Sequence, residues 1–493
     1  MNQRIRQLAA GLMVCYLALF AALNYWQFGR EGDVNAMADN TRAIRREFSS
    51  PRGEILSADG VVLAESVAAP SGSNFPYLRQ YPTGDLFANV TGYYSFGFGS
   101  TQVERTQNDV LVGDTGEQRI GNIEDIVTGG DGTGSVRLTL RDDLQRLARD
   151  QLNGREGSVV VLDIRTGAAF AMYSYPSYDP NDLASFDFEA AGDTFEALAT
   201  DDRNPLLANA YQERYMPGST FKVLTTSIAL EAGVISLDSA WPSETQWVPP
   251  QTSNPIQNYN GSSCGGDLLE VFTRSCNIPF AQTAVEVGVA GMEAGVQRWG
   301  IGQPIPIDLP RPAASTFGDT SNLDQSLPLL AMRGFGQNDD QMVPIHMAMV
   351  AAAVANGGVM MKPFVVGATL DSQGRVLSTH TPEPWLTAIQ PGTAATLNQL
   401  MQSVAVNGTA RCCIALNNGV PVAAKTGTAQ LNATGEPQRS NAWIIAFAPA
   451  DNPQYAVVVM FKGTNAEISA STGGQLAGPV AKRMLDAAIA AGA

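Results

Sequence analysis

The sequence predicts an α+β fold, with an antiparallel sheet flanked by helices, a helical subdomain inserted into it, a smaller β-rich module in front, and one transmembrane helix. Three observations predict it. Residues Leu8 to Trp26 are almost wholly apolar, enough to cross a bilayer as a helix. Strand-like apolar runs occur around 157–175 and again after 420, and the stretch between them is helix-rich. Helical patterns bracket the strands at both ends, the arrangement of an α+β domain.

Taken in order, residues 1–7 form a short tail and 8–27 the expected anchor. Arg4 and Arg6 precede the apolar run, which puts the N-terminus in the cytoplasm and the remainder outside. Tyr25 and Trp26 suit the outer interface. No A-x-A cleavage site follows the run, so we expect a retained anchor rather than a removed signal peptide. Residues 28–150 are rich in Gly, Ser, Thr and Asn, with long periodic runs few. They read as short strands and loops, ending in a helix at Arg141–Leu152 whose Leu144, Leu147 and Leu152 form one stripe. The main domain, 151–493, opens on a hairpin: Val159–Ile164, a turn at 165–167, and a returning strand. The helix in "HMAMVAAAVANGG" stops at Gly357-Gly358, as helix ends do. "PVAAKTGTAQL", "NAWIIAFAPA" and "YAVVVMFKG" read as strands, and "GPVAKRMLDAAIAA" as the closing helix.

Composition removes several functions. The 44% apolar content supports real cores. Net charge is −16 without a run of Lys or Arg, so no nucleic-acid partner is expected. His346 and His380 are the two histidines. Neither has the setting of a Ser-His-Asp triad or metal-ligand spacing, so no metal and no cofactor are expected, and His346 reads as structural. "GSSCG" fits the nucleophile-elbow pattern around Ser263, but polar "NPIQNYN" precedes it where a buried strand is required.

The chain has five lysines against 26 arginines, 31 basic residues in all, so each lysine raises the question of what arginine could not do. A desolvated lysine can lose its proton; arginine does not. "YMPGSTFKVLTTSIALEAG" breaks at Pro217-Gly218 and continues as a helix, with Ser219 in the first turn and Lys222 at i+3. Residues so spaced share a face, making a nucleophile and its base. Alone the pair is weak, since chance supplies roughly 0.3 per chain, and a capping serine beside a solvated lysine is its bland reading. "TRSCNIPF" adds Ser275 and Asn277, and "AAKTGTA" adds Lys425, Thr426, Gly427 and Thr428. On a strand Thr426 and Thr428 share a face, suited to gripping one carboxylate. Gly427 is expected to clear room for substrate backbone along an edge strand.

Ser-x-x-Lys, Ser-x-Asn and Lys-Thr-Gly in this order form a specific set. The chain resembles the penicillin-binding protein and serine β-lactamase superfamily. "NTRAIRREFSSPRGEILSADG", "GFGSTQVE" and "VRLTLRDDLQRLA" are similar to the N-terminal module of class B penicillin-binding proteins. The resemblance covers nearly the whole chain and is greatest to the actinobacterial PbpA type. It departs at Arg141, where an acidic residue is usual, and at Asn441, where histidine is common.

The resemblance implies a monofunctional D,D-transpeptidase of peptidoglycan synthesis, a cell-wall enzyme and target of β-lactams. Ser219 would be acylated, Lys222 would be its base, and Ser275 would pass a proton to the leaving amine. Asn277 would orient Lys222 and substrate, Lys425 would hold Ser275, and Thr426 and Thr428 would take the carboxylate. It implies stem peptides as donor and acceptor, and a membrane glycosyltransferase or division-complex proteins as partners. The rivals are a D,D-carboxypeptidase or β-lactamase on the same fold, and a non-catalytic scaffold or β-lactam sensor. The module and anchor disfavour a released β-lactamase, and the short tail disfavours a sensor.

Among the cysteines, Cys15 falls in the expected span. Outside the membrane disulfides are permitted, and Cys264–Cys276 is the pairing we expect, bracing the Ser275-Cys276-Asn277 turn. The adjacent Cys412 and Cys413 have no assignment from sequence.

Overall fold

The computed structural model describes residues 2–24, 47–115, 118, 132–432, 436 and 439–492. They part into two compact units, 1–51 with 67–78, and 52–66 with 79–493. In the first, helix α1 (Asn2–Asn24) carries exposed apolar side chains from Leu8 to Phe20. Among the described residues, no helix is long and apolar enough to cross a membrane. Residues 25–27 of the expected span, Tyr25 and Trp26 among them, lie outside the described residues.

The front of the chain forms β1 (Ile55–Leu56), β2 (Val62–Ala68), β3 (Tyr77–Gln80), the short helix α2 (Gln102–Thr106) and β4 (Ser135–Leu138). Helix α3 (Asp142–Leu152) follows, one residue later than expected because Arg141, at the N-cap position, is extended. The main sheet begins with the hairpin β5 (Gly157–Asp163) and β6 (Ala169–Tyr175). The helical region supplies α4 (Lys222–Glu231), α5 (Leu268–Thr273), α6 (Ile278–Arg298) and α7 (Pro344–Ala355). Strands β7 (Val366–Leu370) and β8 (Val376–Thr379) and helix α8 (Pro391–Asn407) come next. The chain closes with β9 (Ala423–Gln430), β10 (Ser440–Ala448), β11 (Tyr455–Phe461) and α9 (Gly478–Ala491).

Five antiparallel strands in the order β9-β10-β11-β5-β6 form the main sheet, with β9 at an edge. Its central strands carry continuous apolar runs instead of alternating ones, because both faces are covered: β11 is apolar throughout, and the consecutive residues Val457, Val458 and Val459 are all buried. Helix α7 packs on β11 and β5, while α9 and α3, which touch each other, pack on β11 and β6. Buried almost all round, α7 has no polar stripe to present. His346 within it bonds Ser315 Oγ and the Trp299 carbonyl, each at 2.8 Å, a structural role.

A second sheet has the order β8-β7-β4-β1-β2-β3. Two of its strands, β7 and β8, come from residues beyond 151, so a hairpin of the main domain extends the front module's sheet. No feature of those short strands reveals this in sequence, since pairing partners so far apart leave no local trace. Glu104 of α2 is fully buried between Arg52 Nε at 2.6 Å and Arg79 Nε at 2.7 Å.

Candidate active site

The segment around Ser219 starts as a 3-10 turn, Gly218–Phe221, before α4 begins at Lys222. Gly218 has φ +55°, and a Cβ there would lie 2.6 Å from the Thr428 carbonyl oxygen. Only glycine lets this turn abut β9 so closely. The Gly218 amide donates to the Gly336 carbonyl at 2.9 Å, fixing the turn from the other side. Trp443 Nε1 donates to the Met216 carbonyl at 3.0 Å, and Asn441 Nδ2 reaches the same oxygen at 3.5 Å. Asn441, at a position where the family commonly has histidine, thus holds backbone in place. Ser219 is half-buried.

Lys222 is fully buried. Its Nζ donates to the Ser275 carbonyl at 2.8 Å and to Asn277 Oδ1 at 2.9 Å, and lies 3.3 Å from Ser275 Oγ. The rings of Phe280 and Phe335 lie 5.3 and 6.0 Å from it. Burial, and then the neighbouring Lys425 charge, hold its pKa well below the ordinary lysine value. A neutral amine has two protons, and two acceptor-only oxygens stand ready for them. That leaves the nitrogen lone pair free for a hydroxyl proton.

Ser275 follows the end of α5 with φ +58°, a left-handed conformation uncommon outside glycine. Cys276, beside it, is bonded to Cys264 across a Cα–Cα distance of 5.7 Å. Asn258 completes the brace: its Oδ1 accepts from the amides of Asn277 at 2.7 Å and Ile278 at 3.2 Å. Its own Nδ2 is anchored on the Glu244 carbonyl at 2.9 Å. Asn258 lies in the polar stretch that argued against Ser263 as a nucleophile, and nothing in its pattern marks it. Ser263 itself is exposed and precedes a short strand instead of following one.

Lys425, on edge strand β9, donates from Nζ to Ser275 Oγ at 2.8 Å and to the Thr426 carbonyl at 3.1 Å. Burial pushes its pKa down to about 7. Thr428 Oγ1 accepts from the Gly473 amide at 3.2 Å, and Thr426 Oγ1 lies 2.5 Å from Thr409 Oγ1. The expected reason for Gly427 needs correcting. A Cβ there would sit 2.5 Å from the Pro217 carbonyl oxygen and 3.0 Å from Thr220 Cγ2, so the glycine lets β9 close on the serine turn, and its vacancy is filled by the chain itself.

The three motifs therefore meet at one place. Lys222, Ser275, Asn277 and Lys425 form one hydrogen-bonded cluster on the start of α4, the turn after α5 and the edge strand β9, and Ser219 stands in the 3-10 turn that leads into Lys222. The arrangement can activate a hydroxyl and protonate a leaving amine. Among the described residues no group of three metal-ligating side chains occurs.

Residues 157–486 match the penicillin binding protein transpeptidase domain family, and residues 52–136 match the penicillin binding protein A dimerisation domain. The peptidoglycan D,D-transpeptidase PbpA of Mycolicibacterium smegmatis is 37% identical, over 100% of both chains. That of Mycobacterium tuberculosis is 33% identical over 99% of both. The structure is similar to the ceftriaxone acyl-enzyme complex of penicillin-binding protein A from M. tuberculosis, with TM-score 0.82 and 33% identity over 90% of this chain and 99% of that one. Another crystal structure of that protein gives TM-score 0.81 over 90% and 100%. With its transpeptidase and dimerisation regions both matched, this chain belongs to the penicillin-binding proteins.

Proposed function

We propose that this chain is a peptidoglycan D,D-transpeptidase that works through an acyl-enzyme on Ser219 and is acylated by β-lactams. The observation that carries the reading is the line Lys222–Ser275–Lys425, in which two buried amines meet at one hydroxyl. Neutral Lys222 takes the Ser219 proton as Oγ bonds to the penultimate D-Ala carbonyl carbon. The backbone amides of Ser219 and Thr428 face the developing oxyanion, and the close approach of Gly218 to Thr428 supports that pairing. The C–N bond then breaks, and Ser275 delivers a proton to the departing D-Ala amine, resupplied from Lys222. Lys425 keeps positive charge beside Ser275, while Thr426 and Thr428 hold the substrate carboxylate. Attack by an amine of a second stem peptide forms the new amide bond and releases Ser219.

The relatives that match over their full length bear the name D,D-transpeptidase, which favours an amine over water in the second step. We further propose that residues 8–27, which begin in α1 and continue beyond the described residues, anchor the chain in the cell membrane with the catalytic region outside. Apolar side chains exposed right along the helix support this, as no such surface is favourable in water. There the enzyme meets glycan strands made by a membrane glycosyltransferase or within a division complex. Incubating the detergent-solubilised chain with a D-Ala-D-Ala stem peptide and an amine acceptor tests the activity: crosslinked product and free D-Ala are expected, and D-Ala release without crosslinking would point to a carboxypeptidase. Protease accessibility on intact cells tests the topology, and a mature N-terminus near residue 30 would show a removed signal peptide.

A further inference from the structure

We infer that Thr409 is a positioning residue for the carboxylate subsite, setting the Thr426 hydroxyl so that its proton faces the substrate anion. The inference rests on the acyl-transfer reading and extends it to a residue outside the three motifs. Thr426 is 6% exposed, so its hydroxyl has few ways to turn, and its partner decides among them. That partner is Thr409 Oγ1 at 2.5 Å. With Thr409 as donor, Thr426 accepts one proton and its own is left to donate outward. Thr428 is arranged the same way, for its Oγ1 accepts the Gly473 amide. Both hydroxyls are thereby turned into donors before any anion arrives, the preorganisation a charged subsite needs.

The turn that carries Thr409 is held on three sides. A Cβ on Gly408 would lie 2.3 Å from the Thr273 carbonyl oxygen, two residues before Ser275. One on Gly474 would lie 2.3 Å from the Thr409 carbonyl oxygen, and one on Gly478 would lie 2.9 Å from Cys413 Cβ. The turn ends in a disulfide between the adjacent Cys412 and Cys413, whose Cα atoms are 3.7 Å apart. A mobile loop needs none of these clamps. They hold Thr409 where it touches the third motif, while its own turn leans on the end of α5 at Thr273.

The test uses the full-length chain in detergent and two probes, benzylpenicillin and its methyl ester, which lacks the anion. In Thr409→Val, which keeps the side-chain shape, acylation by benzylpenicillin should slow about tenfold, the scale of one hydrogen bond to a charged group. Acylation by the ester should change far less, so the preference for acid over ester collapses. Thr409→Ser should restore it. Equal slowing of both probes would reduce Thr409 to packing and overturn the inference, as would wild-type rates for both. A wild-type chain that benzylpenicillin does not acylate at all would instead overturn the acyl-transfer reading beneath it.

Discussion

Lys222 Nζ and Lys425 Nζ reach the same atom, Ser275 Oγ, from 3.3 and 2.8 Å. Two ammonium groups so close in a dry site repel each other, so one of them is neutral at working pH. Burial lowers both, and the Lys425 charge lowers Lys222 further. In the proposed scheme this makes Lys222 the base and Lys425 the retained cation.

A pH dependence follows. Acylation rises as Lys222 loses its proton, at a pH well below the ordinary lysine value. It falls again as Lys425 loses its proton around pH 7, where the cation beside Ser275 and the substrate carboxylate disappears. Second-order acylation rates against pH should be bell-shaped. Lys425→Arg keeps a charge that does not titrate, so it should lack the alkaline limb while running more slowly throughout. An alkaline limb that persists in Lys425→Arg would assign it to another group.

Removing the proposed base should have a larger effect. Lys222→Ala should slow acylation by about 10²–10⁴-fold, the usual scale for a lost general base. Stopped-flow measurement with a chromogenic cephalosporin gives the rate directly. A loss under about threefold would move the base elsewhere.

Asn258 should matter although it touches no substrate in the proposed scheme. Asn258→Ala leaves the buried amides of Asn277 and Ile278 without their acceptor, at about 1–3 kcal/mol for each unsatisfied group. Melting temperature and acylation rate should fall together. Retained stability with lost acylation would mean Asn258 acts on the chemistry itself.

Glu104 links stability to pH. Burial alone would raise its pKa, but the Arg79 and Arg52 charges outweigh burial and hold it below the ordinary glutamate value. A group with a depressed folded pKa contributes stability that is present above its unfolded pKa and lost as pH falls through the folded one. Glu104→Gln removes the buried carboxylate that Arg52 and Arg79 share, a change on the order of 3–5 kcal/mol. Thermal melts should show the variant strongly destabilised at neutral pH and the gap narrowing in acid.

The candidate cluster was legible because the proposed chemistry fixes residue types at short spacings: Ser219 and Lys222 on one turn, Ser275 and Asn277 on another, Lys425 near the start of a strand. The antiparallel sheet was legible from continuous apolar runs such as Val457–Val459. Residues that act by touching distant backbone were not legible. Asn258 and Thr409 are ordinary polar residues in polar stretches, and only the fold brings them to Asn277 and Thr426. Gly427 shows the same limit. It lies on an edge strand as expected, but the need for glycine there comes from Pro217, which no strand pattern reveals. The adjacent Cys412 and Cys413 gain a reason only from the packed turn they close.

The central claim is that Ser219 is the acylated residue, and peptide mass spectrometry after treatment with benzylpenicillin tests it most directly. The adduct should map to the peptide containing Ser219 and be absent from Ser219→Ala. A Ser219→Ala chain that still labels at the wild-type rate, or an adduct on Ser263 or Ser275, would contradict the account.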